Sequence, residues 1–261
     1  MRLSQSLTRS LALSCLAVVI VVGAALAEKF EPRVGQPGKD VVWVPTPQAL
    51  VDRMLDMAKV TPSDFLMDLG SGDGRTVITA AKRGVRAVGV EFNPNMVALS
   101  RDNAKKAGVT NATFIEGDLF AADISKATVI TLFLLPDINL RLRPKILDMK
   151  PGTRIVSNTF TMGDWKADDT ADLGAGGNGN CNESWCTALL WIVPAKVGGT
   201  HKLPQGELTL KQEYQMLSGS FRTGGKTLAI TDGRVRGEEI SFKAGGKDYR
   251  GRVNNGKLEL K

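Results

Sequence analysis

Residues 65–82 read Phe-Leu-Met-Asp-Leu-Gly-Ser-Gly-Asp-Gly-Arg-Thr-Val-Ile-Thr-Ala-Ala-Lys. The apolar run that ends at Leu69 predicts a buried strand, and the segment that starts at Arg75 predicts a helix. Between them, Gly70, Gly72 and Gly74 let the chain turn sharply and let a ligand approach the backbone at the helix N-terminus. A strand, a glycine-rich turn and a helix in this order are typical of an α/β fold.

Short apolar runs alternate with helical patterns on both sides of this segment. Strands are predicted near 65–69, 87–92, 112–116, 128–135, 153–158 and 187–193, and helices near 46–58, 75–82, 94–107 and 137–148. The alternation predicts a doubly wound, mostly parallel sheet with helices on both faces. Residues 161–186 are polar and rich in glycine, so we expect a long loop there that is either mobile or functional.

The C-terminal quarter of the chain has a different composition. Residues 197–261 carry 12 basic and 7 acidic side chains, a net charge of +5, whereas residues 28–196 carry 20 of each. Alternating runs separated by Gly224-Gly225, Asp232-Gly233, Gly245-Gly246 and Asn255-Gly256 predict antiparallel hairpins. We therefore expect a small antiparallel β module, a meander or a barrel, joined through Gly198-Gly199.

The positive charge of this module raises the question of an anionic partner. Its cations alternate with Glu and Gly along the predicted strands, and no stacking-aromatic motif accompanies them. We therefore expect a solvated face rather than a nucleic-acid site, with weak contact to an anionic surface as the alternative.

The N-terminal residues have the features of an export signal. Arg2 and Arg9 precede the apolar run Leu11–Val22, which is followed by Ala25-Leu26-Ala27. This order predicts a signal peptide that is cleaved after Ala27, and hence a periplasmic or secreted protein. An uncleaved membrane anchor is the alternative, although the run is shorter than the ~20 residues that a span needs. The predicted organisation is a signal peptide (1–27), an α/β domain (28–196) and the β module (197–261).

Cysteine and histidine usage limits the chemistry. Cleavage leaves Cys181 and Cys186, which in an oxidising compartment predict a disulfide that closes a small loop; two free thiols are the alternative. His201 is the single histidine of the chain, which excludes a His-rich zinc site and argues against a Ser-His-Asp mechanism. No metal site is predicted.

The glycine-rich turn distinguishes two classes of cofactor. Dinucleotide-binding turns read G-x-G-x-x-G, but here Arg75 stands where the third glycine should be, which disfavours an NAD-dependent oxidoreductase. The spacing Gly70-x-Gly72-x-Gly74, preceded by Asp68, instead suits S-adenosylmethionine, because an acid is favourable near its cationic sulfonium.

Two further acids follow the next two predicted strands. Glu91 ends the second strand, where a carboxylate can accept hydrogen bonds from both ribose hydroxyls, and Asp118 follows the third, where it can receive an adenine amino group. The carboxyl ends of parallel strands border one crevice, so we expect these acids to lie together. All of them precede residue 120, so we expect residues 28–196 to hold the cofactor without the β module.

Residues 43–160 resemble a class I S-adenosylmethionine-dependent methyltransferase. They are most similar to the family that contains the mitochondrial protein-lysine methyltransferases of the ATP synthase c-subunit and the adenine nucleotide translocase, and to leader-bearing bacterial relatives. The shared segments are Val44–Pro47, Asp68–Arg75, Val88–Pro94, Ser100-Arg101, Gly117–Phe120 and Leu140–Leu147. The resemblance implies a Rossmann-like fold, methyl transfer with a protein lysine as a candidate acceptor, and cofactor binding by Asp68, Gly70, Gly72, Gly74, Glu91 and Asp118.

Two departures from the family leave the acceptor open. The fourth strand is followed by Leu134-Leu135-Pro136 rather than Asn-Pro-Pro-Tyr, which disfavours methylation of an adenine or glutamine amino group. The fifth strand is followed by residues 158–165, Asn-Thr-Phe-Thr-Met-Gly-Asp-Trp, where the lysine methyltransferases have an aromatic-Pro segment.

Residues near the acceptor have two interpretations each. Asp137, Asn158 and Asp164 are candidate polar groups beside an amine acceptor, or else cap and loop residues. Trp43 and Trp165 either form walls of the acceptor pocket or are core and rim aromatics. Since export leaves the cofactor supply unexplained, an exported binding module without transfer activity is the alternative to an enzyme.

Overall fold

The computed structural model describes residues 30–174, 181, 184–254 and 256–261. The predicted signal peptide, residues 1–27, lies outside the described residues. The helices are α1 (Gln48–Met57), α2 (Arg75–Lys82), α3 (Pro94–Lys106) and α4 (Pro136–Leu147). No helix in the described part of the chain is long and apolar enough to cross a membrane.

The fourteen strands of the described residues form two sheets. They are β1 (Phe65–Leu69), β2 (Arg86–Glu91), β3 (Ala112–Glu116), β4 (Val129–Leu132), β5 (Arg154–Asn158), β6 (Asp169–Asp172), β7 (Thr187–Ile192), β8 (Gly199–Leu203), β9 (Gly206–Glu213), β10 (Met216–Thr223), β11 (Lys226–Arg236), β12 (Glu239–Ala244), β13 (Lys247–Asn254) and β14 (Lys257–Leu260). Strands β1 to β7 make the first sheet and β8 to β14 the second.

The first sheet has the spatial order β3-β2-β1-β4-β5-β7-β6. Strands β1 to β5 pair in parallel, and β7 is antiparallel to both of its neighbours. This confirms the predicted doubly wound, mostly parallel sheet. Because β1 lies between β2 and β4, the strand order reverses at β1, and a crevice opens there at the carboxyl ends, where such sheets bind ligands.

Alternating apolar side chains place a core on each face of this sheet. In β1, Leu66 belongs to the core that contains α1 and α2, whereas Met67 and Leu69 belong to the opposite core with α4. The same alternation recurs in β5, where Val156 and Ile155 point into the first and second core respectively. Two cores hold the sheet from both sides and so fix the positions of the residues at its carboxyl edge.

Two predictions about the first sheet are corrected by the structure. The expected loop 161–186 contains a strand, β6, so β7 is an inner strand rather than the last one. This strand reads Asp-Thr-Ala-Asp and pairs only with β7, so it carries no apolar alternation that could have revealed it. Helix α1 begins at Gln48 because Pro47 keeps an extended ψ of 139° and therefore precedes the helix.

The second sheet is an antiparallel meander in the order β14-β13-β12-β11-β10-β9-β8, which confirms the predicted β module. Its first strand, β8, begins at Gly199, within the predicted linker. Strand β11 runs through Asp232-Gly233, where we expected a hairpin turn. The pairing register shifts between Thr231 and Arg234, and Asp232 has a φ of 52°, so this pair forms a bulge inside the strand.

Side chains of the second sheet contact the segment that precedes β6. The Arg234 guanidinium donates to Asp168 Oδ1 at 2.6 Å, and Gln215 Nε2 donates to the Lys166 carbonyl at 2.7 Å. The Tyr214 ring stacks on Trp165 with centroids 6.0 Å apart. The division at residue 196 stays a prediction, but the two sheets share buried polar and aromatic contacts.

Candidate active site

A cleft lies at the carboxyl ends of β1, β2 and β4, at the point where the strand order reverses. It contains roughly 1050 Å³ of space, including its open mouth. Its lining includes residues 36–46, the turn after β1, and the segments that follow β2, β3 and β4. The lining contains five of the six predicted cofactor residues: Asp68, Gly70, Gly72, Glu91 and Asp118.

Gly74, the sixth predicted residue, does not line the cleft. It precedes α2 with a φ of +82°, and a Cβ built there would lie 2.7 Å from the Phe114 ring and 3.0 Å from Ser100 Cβ. A glycine is therefore required by close packing and by backbone conformation rather than by ligand contact. This corrects the cofactor-binding role that the family resemblance implies for Gly74.

The other two glycines shape the wall of the cleft. Gly70 and Gly72 have φ values of +81° and +53°, and a Cβ on Gly72 would lie 2.7 Å from Trp43 Nε1. Trp43 therefore packs directly on the turn and belongs to the lining of the cleft. Of its two predicted interpretations, a pocket wall describes Trp43 better than a core residue does.

Asp68 is a buried acid at the base of the cleft. Its residue is 7% exposed, and Thr131 Oγ1 donates to its Oδ1 at 2.6 Å. Burial raises the pKa of Asp68 to about 7, with the Thr131 hydrogen bond opposing the rise and the nearby Glu91 and Asp73 charges adding to it. A carboxylate with so little water around it gains from a cationic ligand.

Glu91 connects two loops of the site. Its Oε2 accepts the Gly72 N–H at 2.9 Å, and its Oε1 accepts the Asn93 N–H at 2.9 Å. Each carboxylate oxygen has a second acceptor position, so the same side chain can also receive ribose hydroxyls. The sequence predicts the ribose role, but it does not predict that Glu91 also holds the glycine-rich turn.

Asp118 is paired with a lysine from the segment that precedes α1. Lys39 Nζ donates to Asp118 Oδ2 at 2.7 Å, and the Phe120 N–H donates to Oδ1 at 2.8 Å. These two hydrogen bonds, Lys39 first, hold the pKa of Asp118 below its usual value. Hydrogen bonds between Gly35 N–H and Trp43 O place Lys39 in a tight loop over the cleft. No pattern in the sequence indicates this partner.

The predicted acceptor residues prove to be structural. Asp164 accepts hydrogen bonds from Arg143 and Tyr214, which lower its pKa, and Asp137 is exposed in the first turn of α4. Asn158 is buried and contacts Thr46 Oγ1 at 3.4 Å and Thr159 Oγ1 at 2.9 Å. None of these three belongs to the lining of the cleft.

Trp165 is a core residue and not an acceptor wall. It is fully buried, with its ring centroid 6.3 Å from that of Trp191 and its backbone carbonyl accepting the Trp191 Nε1–H at 2.8 Å. The acceptor interpretation of Trp165 is therefore wrong.

Comparison with known proteins identifies the family. The family model described as the ANTKMT methyltransferase domain matches residues 68–169. A protein-lysine N-methyltransferase of Saccharolobus islandicus (strain REY15A) is 42% identical over 166 residues, which are 62% of this chain and 96% of the relative. This chain belongs to that methyltransferase family. The lysine N-methyltransferase of the ATP synthase c-subunit from Mus musculus is 39% identical to the methyltransferase over 42% of this chain and 45% of the mouse enzyme.

A solved structure identifies the cofactor of the methyltransferase. The RNA methyltransferase of Salinibacter ruber in complex with S-adenosyl-L-homocysteine is 48% identical, with a TM-score of 0.54, and the match covers 59% of this chain and 96% of that one. S-adenosylhomocysteine is what S-adenosylmethionine becomes after losing its methyl group. The cofactor of the methyltransferase is therefore S-adenosylmethionine, as the sequence predicts, and the Rossmann-like fold is confirmed.

The residues of the cleft fit this cofactor. Ser71 Oγ is buried in the turn and has no hydrogen-bond partner among the described residues, so a ligand group there would satisfy it. Gly70 and Gly72 allow a ligand to approach the turn closely. Asp68 would face the cationic methionine end, Glu91 the ribose and Asp118 the adenine amino group. Adenine would then have to share Asp118 with Lys39 or displace it.

The raised pKa of Asp68 predicts pH-dependent cofactor binding. We expect the affinity of the methyltransferase for S-adenosylmethionine to rise about tenfold between pH 6 and pH 8, because only the Asp68 carboxylate attracts the sulfonium and its fraction grows by that factor around a pKa of about 7. Isothermal titration across this pH range measures the rise.

The Asp68→Asn variant is the matched control, since the amide keeps the shape and an acceptor for Thr131. It should bind S-adenosylmethionine weakly and equally at both pH values, and S-adenosylhomocysteine, which lacks the sulfonium, should show a smaller rise with wild-type protein. A flat profile in wild-type protein contradicts the role of Asp68. Because the pKa of Asp68 is raised, unliganded protein should lose stability as the pH rises from about 4 through 7.

Proposed function

We propose that this enzyme is a protein-lysine N-methyltransferase. The observation that carries the proposal is the 42% identity to a protein-lysine N-methyltransferase over 96% of that relative's length. Two further curated relatives, named for lysines of the ATP synthase c-subunit and of the adenine nucleotide translocase, support the same acceptor chemistry.

The cleft supplies what transfer to an amine requires. When bound, S-adenosylmethionine supplies an electrophilic methyl group, which leaves a neutral thioether after transfer. The protein has to orient the acceptor nitrogen and exclude water, and Leu134, which is 2% exposed and lines the cleft, provides an apolar surface for this. An apolar pocket also lowers the pKa of a lysine ammonium, so the amine can lose its proton to solvent before attack.

An RNA acceptor is the second candidate. It is favoured by the name of the Salinibacter ruber structure, an RNA methyltransferase that is 48% identical to this chain. The net charge of +5 in residues 197–261 is compatible with either acceptor, because acidic proteins and RNA are both anionic.

A methyl-transfer assay tests the proposal. Purified protein is incubated with S-adenosylmethionine labelled in the methyl group, together with a lysine-containing peptide library, the same library with lysine replaced by arginine, or total bacterial RNA. We expect label in the lysine library alone, recovered as methyl-lysine after hydrolysis. Label in RNA, with none in the lysine library, would overturn the proposal in favour of the second candidate.

We further propose that the protein is exported and that residues 1–27 are removed. The disulfide between Cys181 and Cys186, whose Cα atoms are 6.0 Å apart, supports an oxidising compartment. Intact-mass measurement of the protein from its native compartment should show a chain that begins at Glu28 and is two hydrogens lighter than the dithiol form. A retained Met1 together with two alkylatable thiols would contradict export.

A further inference from the structure

We infer that Phe133, Phe160 and Trp185 form the wall that binds the side chain of the acceptor lysine, and that the Cys181–Cys186 disulfide holds Trp185 in this wall. The inference rests on the proposed function and names the residues that select its substrate. We refer to the three rings as the aromatic wall.

The aromatic wall starts in the cofactor cleft and ends at the protein surface. Phe133 follows β4 and belongs to the lining of the cleft. Its ring stacks on Phe160 with centroids 5.9 Å apart, and it lies 6.3 Å from the Trp185 ring. Trp185 is 37% exposed, whereas the other two rings are half-buried. A side chain that enters from solvent along the wall would therefore reach the cleft.

The position of Phe160 depends on a strained turn. Thr159 has a φ of 58°, which is rare for a β-branched residue, and the Phe160 N–H donates to the Asn158 carbonyl at 2.6 Å. The Phe160 carbonyl accepts hydrogen bonds from Ser157 Oγ at 2.8 Å and from Asn139 Nδ2 at 3.3 Å. Such strain persists only where the surroundings hold it, and it concentrates at functional sites.

The chemistry of the wall suits a lysine side chain. Aromatic faces attract an ammonium group through the ring quadrupole and cover the alkyl stem with apolar surface. The planes of Phe133 and Trp185 meet at 59°, which makes a corner that fits a slender alkyl chain better than a flat base. Methylated lysine keeps its charge when protonated, so the same rings can also hold the product for a second transfer.

The disulfide constrains the outer ring of the wall. Cys186 directly follows Trp185, both cysteines are buried, and the Leu173 N–H donates to the Cys186 carbonyl at 2.9 Å. A dithiol reductant such as dithiothreitol would transfer two electrons and two protons to the disulfide, giving two thiols and a cyclic disulfide of the reductant. Opening this loop restores chain entropy, so Trp185 would leave the wall for part of the time.

Kinetics of Trp185→Ala test the wall. We expect the KM for the lysine peptide to rise roughly five- to tenfold, while the Kd for S-adenosylmethionine stays unchanged because Trp185 is not part of the cleft lining. The Trp185→Phe variant should restore most of the lost affinity, since it keeps an aromatic face. An unchanged KM in Trp185→Ala, with circular dichroism like that of the wild type, would overturn the inference.

Reduction tests the role of the disulfide. Dithiothreitol, or the double substitution Cys181→Ser and Cys186→Ser, should raise the peptide KM of the wild type by a factor similar to that of Trp185→Ala. The same treatment should add little to Trp185→Ala, because both changes remove one contact. An unchanged KM after reduction would overturn the disulfide part of the inference.

Failure of the proposed function gives a different result. If wild-type protein methylates RNA and not lysine, the proposed function and the lysine wall are both wrong. If wild-type protein methylates lysine and Trp185→Ala keeps the wild-type KM, the proposed function stands and the wall alone is wrong.

Discussion

Replacing Glu91 with alanine should weaken binding of S-adenosylmethionine tenfold or more. The variant loses a carboxylate that can accept ribose hydroxyls, and it also releases the Gly72 N–H and the Asn93 N–H, each bonded to Glu91 at 2.9 Å. Loss of charged hydrogen bonds of this kind costs about 1.5–3 kcal/mol, which corresponds to roughly tenfold or more in affinity. Isothermal titration of purified protein measures the change directly.

Two variants separate the ribose contact from the support of the turn. Glu91→Gln keeps the length and one acceptor oxygen, so it should lose less affinity than Glu91→Ala. Glu116→Ala is the matched control, since Glu116 pairs with Glu91 in the β2–β3 register but does not line the cleft. Undiminished binding by Glu91→Ala would show that the carboxylate does not contact the cofactor.

The part of the site that the sequence predicts depends on local pattern and strand direction. The apolar run before Gly70 and the periodicity after Gly74 define β1 and α2 with the bounds that the structure has. Glu91 and Asp118 follow the next two strands, and parallel pairing brings the carboxyl ends of all three strands together. Local sequence therefore suffices wherever one residue at the end of each strand defines the site.

The rest of the site could not be predicted because it depends on contacts between distant segments. Lys39 reaches Asp118 across 79 positions of sequence, and neither residue has a pattern that indicates the other. Phe133, Phe160 and Trp185 are single aromatics in three separate loops, and they become a wall only when β4, β5 and β7 lie side by side. Gly74 shows the reverse case, since a motif position that the family associates with the cofactor serves close packing here.

A third kind of error came from turn residues with more than one use. Asp232-Gly233 is a strong hairpin signal, yet β11 continues through it as a bulge. The bulge precedes Arg234, whose guanidinium reaches Asp168 in the segment before β6. The sequence thus predicts a flexible residue pair, but only the tertiary contact decides whether the chain turns or bulges there.

That contact gives the largest stability effect that we expect. In Arg234→Met the Asp168 carboxylate, whose side chain is fully buried, keeps its hydrogen bond from the Ile192 N–H but loses its cationic partner. An uncompensated buried charge of this kind costs about 3 kcal/mol, after allowance for the partly exposed arginine. We expect the free energy of unfolding to fall by that amount in urea denaturation, and the Kd for S-adenosylmethionine to stay near the wild-type value at low temperature.

Arg222→Met is the matched control, because its pair with Glu207 is exposed and such pairs contribute about 1 kcal/mol or less. Adding Asp168→Asn to Arg234→Met should recover part of the loss, since it removes the buried charge. Equal stability of the two arginine variants would contradict a role for Asp168–Arg234 in holding the sheets together. The same ion pair bears on the predicted domain 28–196. This fragment contains the whole cleft, but it lacks Arg234, Tyr214 and Gln215, so we expect it to bind the cofactor with lower stability than the full chain.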